Sequence, residues 1–333
     1  MLRKLAATLV FAAGAALIGF ADSPVVRYLS TGKLNACAVR QYQNLPQRVD
    51  VLALGSSRMR RGFDPNTFVE ASGGRIANVY NLAAPGLHLI RSANTLDDLL
   101  DSGHSIGTLI VEADIDALRL GKRSRWNWTP IAARSASWAD IFAGSPRTLG
   151  RGQAVDPRIV LRGALEKLRQ VPVLILTGRV ARVLAYPSDR ATTVCFDPNF
   201  DVETPGKANS RARAARAALA RADELEEGND NTFVRPRGPK ALVEIEVLQR
   251  IRERARQAGI RLIVVRPSGF AEAPLHPETV ASLKRLVPEF QSPPMELAEQ
   301  LNDLQIDATH YGPEGRRLYT QWLAEIAISS APN

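Results

Sequence analysis

The stretch Asp50 to Pro65, DVLALGSSRMRRGFDP, decides how this chain is read. Its apolar run, Val51 to Leu54, has the character of a buried strand. That run breaks into Gly55-Ser56-Ser57 and then into Arg58, Arg60 and Arg61. Small polar residues after a strand suit a turn or a helix cap. A serine delivered to the rim of a sheet is also where a nucleophile would stand. On these sixteen residues alone both readings stay open.

Working outward, the strand has companions. Arg75 to Tyr80 (RIANVY), Thr108 to Val111 (TLIV) and Ile260 to Val265 (IRLIVV) are further short apolar strands. Between them lie helical patterns. Leu89 to Leu100 carries Leu96, Leu99 and Leu100 and ends near Gly103. Leu242, Ile245, Leu248, Ile251 and Ala255 repeat at three- and four-residue spacing, the stripe of a core-facing helix, with Gly259 placed to end it. A last helix, about Gly315 to Ile328, puts Leu318, Trp322, Leu323 and Ile326 on one face. Short apolar strands separated by amphipathic helices imply an α/β fold, a parallel sheet with helices on both faces. A helix is expected around Ile159 to Arg169, whereas Val171 to Gly178 (VPVLILTG) reads equally as strand or helix. Ser188 to Lys240 is rich in Pro, Gly, Asp, Asn and Arg around the helix-prone Asn209 to Glu227. The expected plan is therefore a polar, extended lead-in at 22–49 and one domain at 50–329, with an insertion at about 121–240.

The 333 residues are 45% hydrophobic and 23% charged, ordinary globular values. The net charge of +9 comes from 43 Lys+Arg against 34 Asp+Glu. Basic clusters at 119–125 (RLGKRSR) and 211–221 (RARAARAALAR) lack the interleaved aromatics or motif of a nucleic-acid binder. Anionic glycans, lipid headgroups or a solvated helix face account for them. At the N-terminus, Arg3-Lys4 precedes Leu5 to Ala21, seventeen residues without a charge. As a helix these span roughly 25 Å, short of a hydrocarbon core of about 30 Å. The segment fits a cleaved signal peptide, with Gly19-Phe20-Ala21 before the cut, or a short uncleaved anchor. Either implies export of the remaining chain to the periplasm. Cys37 and Cys195 could then form one bridge or be two unrelated thiols. No Cys/His set has metal-ligand spacing, and neither a metal nor a cofactor is expected.

In an open parallel sheet, chemistry gathers beyond the C-terminal ends of the strands. Three segments bring suitable groups there: Gly55-Ser56-Ser57; NLAAPG, Asn81 to Gly86; and IDATHYGPEG, Ile306 to Gly315, with Asp307 and His310 three apart. A serine hydroxyl needs an imidazole to take its proton and, usually, a carboxylate to orient that imidazole. One loop carrying Asp307 and His310 could supply both. His88, His104 and His276 find no partners in such a scheme and are expected to be structural or exposed. Arg58, Arg60 and Arg61 are expected on a solvated face rather than on an anionic sugar.

The order GSS, N-x-x-x-x-G, D-x-x-H resembles the SGNH/GDSL hydrolase superfamily, over about 50–118 and 240–329. The resemblance implies a three-layer, flavodoxin-like parallel sheet. It places Ser57 as nucleophile, Gly86 as the second-block glycine of the oxyanion hole with Asn81 opening that block, and Asp307 and His310 as the rest of the triad. GSSR, DATHY and the N-terminal segment are similar to membrane-anchored envelope members that work beside membrane-bound O-acyltransferases in polysaccharide acetylation, and more distantly to the D-alanyl-transfer protein of teichoic acid systems. One departure stands out. The family's third block offers an Asn in G-x-N-D, whereas this chain reads Val111-Glu112-Ala113-Asp114-Ile115-Asp116. A lost oxyanion donor typically lowers the rate about 100- to 1000-fold. The hole would rest on the N–H groups of Ser57 and Gly86, with Arg58 as a helper.

These residues support three expectations for function. The first is an exported serine esterase or O-acyltransferase acting on acylated envelope glycans, partnered by a membrane O-acyltransferase. The second is a non-catalytic envelope protein of the same fold that binds glycan or that partner. The third, phospholipid or lipoprotein ester cleavage, requires a long apolar groove.

Overall fold

Side chains alternate across a strand, so a strand apolar at every position must be covered on both faces. That constraint organises the chain. The computed structural model describes Gly19 and residues 36–84, 89–113, 138–142, 157–176, 239–267, 277–306 and 310–329. The order is α1 (Ala36–Gln43), β1 (Arg48–Leu54), α2 (Ser57–Gly62), α3 (Pro65–Ala71), β2 (Val79–Asn81), α4 (Leu89–Asp101) and β3 (Ser105–Glu112). Next come α5 (Trp138–Phe142), α6 (Pro157–Leu176), α7 (Pro239–Gln257), β4 (Arg261–Val265), α8 (Pro277–Leu286), β5 (Phe290–Gln291), α9 (Met295–Asp303) and α10 (Pro313–Ser329).

The five strands are all parallel and lie in the order β2-β1-β3-β4-β5. This order is compatible with a flavodoxin-like fold, in which the crevice opens outside the C-terminal ends of β1 and β3. The alternation is explicit in the core. Leu52, Leu54, Leu109, Val111 and Val264 face a cluster with α1, α4, α7 and α8. Val51, Ala53, Ile110, Ile263 and Val265 face another with α2, α3, α9 and α10. Helices thus cover both faces of the sheet.

Polar contacts fix the helices that matter to the site. Asp64 caps α3, accepting from the N–H groups of Asn66 (2.9 Å) and Thr67 (3.5 Å), with Pro65 at the first position. The buried hydroxyl of Thr320 on α10 donates to the Gly62 carbonyl (3.1 Å) and accepts from the Asp64 N–H (3.0 Å). It therefore ties α10 to the junction of α2 and α3. Arg254 of α7 bonds Asp97 (2.8 Å) and Asp101 (2.7 Å) on α4, and Arg250 also pairs with Asp97. Gly259, at φ +67°, ends α7 where other residues would be strained.

Several sequence expectations need correction. The lead-in is not extended throughout: residues 36–43 form α1, whose Val39 and Tyr42 join the core, and β1 begins at Arg48. The second strand is three residues, because Asp50 Oδ2 accepts from Ala77 (3.2 Å) and Asn78 (3.0 Å) N–H groups and holds that approach as a loop. The third strand runs on to Glu112. Val171 to Leu176 is helix, the end of α6. Apart from Gly19, residues 1–35 lie outside the described residues, as do Cys195 and most of the insertion, while Cys37 is described only as part of α1. Among the described residues no helix is long and apolar enough to cross a membrane.

Adjacent hydroxyls on α10 give a paired test of this packing. The Tyr319 hydroxyl is buried without a hydrogen-bond partner among the described residues, whereas Thr320 satisfies two backbone groups. Thr320→Val should lower the urea-unfolding free energy by about 1–3 kcal/mol, since both groups are then left unpaired. Tyr319→Phe should leave it within about 0.5 kcal/mol or raise it. Equal losses in the two variants would refute the assignment.

Candidate functional site

Register brings the first elements of the site together. β1 and β3 pair Ala53 with Ile110 and Leu54 with Val111. One further step sets Gly55 opposite Glu112, both directed to the α2 and α10 side. Glu112 is buried, with 7% of its surface exposed. A Cβ at position 55 would lie 2.6 Å from Met59 Cβ and 2.7 Å from both Cβ and Oε2 of Glu112. Only glycine leaves room for the carboxylate.

The carboxylate then organises the turn. Glu112 Oε2 accepts from the Ser56 N–H at 2.6 Å and the Met59 N–H at 3.3 Å, and Oε1 accepts from Ser56 Oγ at 2.7 Å. Ser56 Oγ in turn accepts from the Arg58 N–H at 3.1 Å, as the N-cap of α2. Arg58 Nε lies 3.5 Å from Glu112 Oε1, placing a cation beside the buried anion. The N–H groups of Ser56, Arg58 and Met59 are thereby used. That of Ser57, at the first helical position, has no intrahelical acceptor and meets none among the described residues.

Ser56 and Ser57 therefore differ. Ser56 is the cap. Ser57 Oγ points the other way, to His310 Nε2 at 2.9 Å, across 253 residues of sequence. His310 is set by a tight return of the chain before α10. The Ile306 N–H donates to its carbonyl (2.9 Å), the Gly312 N–H donates to Leu304 O (2.9 Å), and Gln305 bridges Tyr311. A side chain at Gly312 would be crowded, its Cβ 3.1 Å from Ile306 Cγ2 and 3.2 Å from Leu304 O. Tyr311, buried beside His310, stacks at a tilt on Tyr319 (5.3 Å between ring centres). Burial holds the Tyr319 phenol well above its ordinary pKa, reinforced by Tyr311 and Glu112 and opposed by Arg58, so it stays neutral.

The second-block segment flanks this pair. After β2, the Leu82 N–H donates to Ala53 O (3.0 Å) and the Ala84 N–H to Gly55 O (2.9 Å), so the segment follows β1 to the turn. The amide of Asn81 donates to the carbonyls of Phe63 (2.8 Å), Met59 and Arg60 (3.3 Å each), and its Oδ1 accepts from the Ala83 N–H (3.1 Å). Met59, Arg60 and Phe63 lie at the C-terminal end of α2, where the Met59 carbonyl also accepts from the Phe63 N–H (3.0 Å). Asn81 thus holds the serine's helix and is committed away from substrate.

The structure brings Ser57 and His310 into contact and sets Asn81 and Arg58 behind them; Gly86 and Asp307 lie outside the described residues, as do His88 and His276. Arg58 turns toward Glu112, and Arg61 is buried, so the expected solvated arginine face does not form. His104 is structural, one ring nitrogen 3.1 Å from Leu99 O and the other 3.3 Å from Leu45 O. Glu112, expected as a repulsive neighbour of an oxyanion, makes none of its bonds to Ser57. Its role was signalled only by an acid closing an otherwise apolar strand. Among the described residues no cluster of His, Cys, Asp or Glu could hold a metal ion.

Replacing Glu112 tests this bracing. Glu112→Gln removes the charge beside Arg58 Nε and weakens bonds that each gain from it, by about 1–3 kcal/mol in total stability. Gly55→Ala should be at least as damaging, because both contacting groups are confined. Chemical denaturation reads both, and an unchanged midpoint in Glu112→Gln would show that the carboxylate is dispensable.

No protein-family model and no curated protein matches this chain.

Proposed function

We propose that the chain is an SGNH-like serine acyl-ester enzyme of the cell envelope, with a three-layer fold of that type and the insertion on one side. The observation that carries this is the 2.9 Å approach of His310 Nε2 to Ser57 Oγ at the C-terminal edge of the sheet. Ser57 Oγ attacks an acyl carbonyl while His310 takes its proton. The Ser57 and Gly86 N–H groups receive the oxyanion, and Asp307 orients the imidazole. His310 returns the proton to the departing sugar oxygen, leaving acyl-Ser57. A water or a second sugar hydroxyl then gives its proton to His310 and takes the acyl group, and His310 returns that proton to Ser57 Oγ as the acyl–Oγ bond breaks. Water makes the protein an esterase, and a sugar makes it an O-acyltransferase beside a membrane partner. The N-terminal apolar segment supports export and periplasmic placement.

A second reading has its own support. Asn81's amide is engaged by α2 and a carboxylate stands in the third block, so fewer oxyanion donors remain than in the family pattern. A protein that keeps the fold to bind glycan or a membrane acyltransferase would tolerate this.

Labelling separates the two. Incubated with a fluorophosphonate, the protein should acquire one adduct, located on Ser57 by peptide mass spectrometry. His310→Ala should slow its formation by about 100-fold or more, and Ser57→Ala should abolish it. A folded protein that never labels, with no turnover of an activated acetyl ester, would favour the binding role.

A further inference from the structure

Helix α6 carries a stripe that the proposed chemistry does not use. Arg158, Leu161, Arg162, Leu165 and Arg169 are all exposed. At 100° per residue they fall within an arc of about 100°. Leu161 and Leu165 are 60% and 59% exposed and lie one turn apart. The opposite side is buried at Gly163 and Lys167, and the Lys167 ammonium sits 5.4 Å over the Trp138 ring, fixing α6 against α5. Phe142, stacked on Trp138, is 64% exposed. Within residues 157–176 the single acid is Glu166, half-buried and off the stripe.

We infer that this face docks on an anionic phospholipid surface. Leucines in line with arginines match the boundary of a bilayer, where apolar side chains enter the acyl layer and guanidiniums meet phosphates above it. A protein groove would have to be apolar and acidic along one narrow line, whereas an anionic membrane offers both features everywhere. The same chain carries an uncharged apolar segment, Leu5 to Ala21, behind Arg3-Lys4. A second contact on a membrane-tethered chain needs little affinity of its own, because the tether raises its effective concentration. The docking is independent of whether Ser57 is a nucleophile.

The full chain, incorporated in phosphatidylcholine vesicles with or without phosphatidylglycerol, is exposed to a lipid bearing a diazirine in its acyl chain, and cross-linked peptides are mapped by mass spectrometry. Peptides containing Leu161 and Leu165 should be labelled in the anionic vesicles. Each basic residue near such a surface contributes about fivefold to binding. Arg162→Glu with Arg169→Glu should therefore lower that label by an order of magnitude or more, as should Leu161→Ser with Leu165→Ser. Both pairs are surface changes, and an unchanged thermal midpoint would verify their folding. Any label on residues 5–21 reports membrane contact separately. Absence of label on α6, label indifferent to lipid charge, or cross-links from α6 to another part of this chain or to a second copy would each overturn the inference.

Discussion

One buried carboxylate holds the centre of this structure. Glu112 ends the middle strand of the sheet and grips the turn after its neighbour, accepting two backbone N–H groups and one hydroxyl. A carboxylate taken out of water is costly unless it is hydrogen-bonded and paired. Ser56, Met59 and Arg58 meet that demand, and in doing so they fix the first turn of α2. Gly55 follows from the same demand, since the carboxylate occupies the volume any side chain there would need. The positions of Ser56 and Ser57 are consequences. One faces the acid and caps the helix; the other is turned to the opposite side, where the imidazole waits.

The imidazole arrives by a different route. His310 is held by a backbone return between Leu304 and Gly312, closed by its own carbonyl and by the burial of Tyr311. That return packs on α10, which Thr320 ties to the end of α2. The two halves of the Ser57–His310 contact therefore rest on elements bonded to one another, although 253 residues separate them in sequence. Asn81 completes the support from the β2 side by taking the carbonyls at the far end of α2. Short as it is, α2 is held at its N-terminal end by an acid and at its C-terminal end by an amide.

Legibility in the sequence tracked the size of the physical signal. β1, β3, β4, α4, α7 and α10 are long or apolar enough to show by periodicity, and the α/β class came from their alternation. β5, of two residues, has no period to display. α1 was hidden because its buried face includes Gln41 as well as Val39 and Tyr42. The pairing of Ser57 with His310 was legible because hydroxyl and imidazole are complementary chemistry at predictable places. The work of Glu112 and Asn81 was not, because a residue type names its bonding capacity and not its partner. Register decided both, and register is a property of two strands together.

The site's surroundings weigh on what the Ser57–His310 contact is for. A half-exposed hydroxyl–imidazole hydrogen bond adds only about 0.5–1.5 kcal/mol to stability. Two kinds of support around it are ones that stability alone would not select. A buried ion pair is often no better than apolar packing of the same volume, and glycines at 55 and 312 cost chain entropy that other residues would not. Local choices that residue propensity alone would not make, gathered around one contact, are characteristic of functional sites. A turn required only to end a strand would need none of them. The supports gathered around one serine and one histidine are in keeping with the role proposed for Ser57.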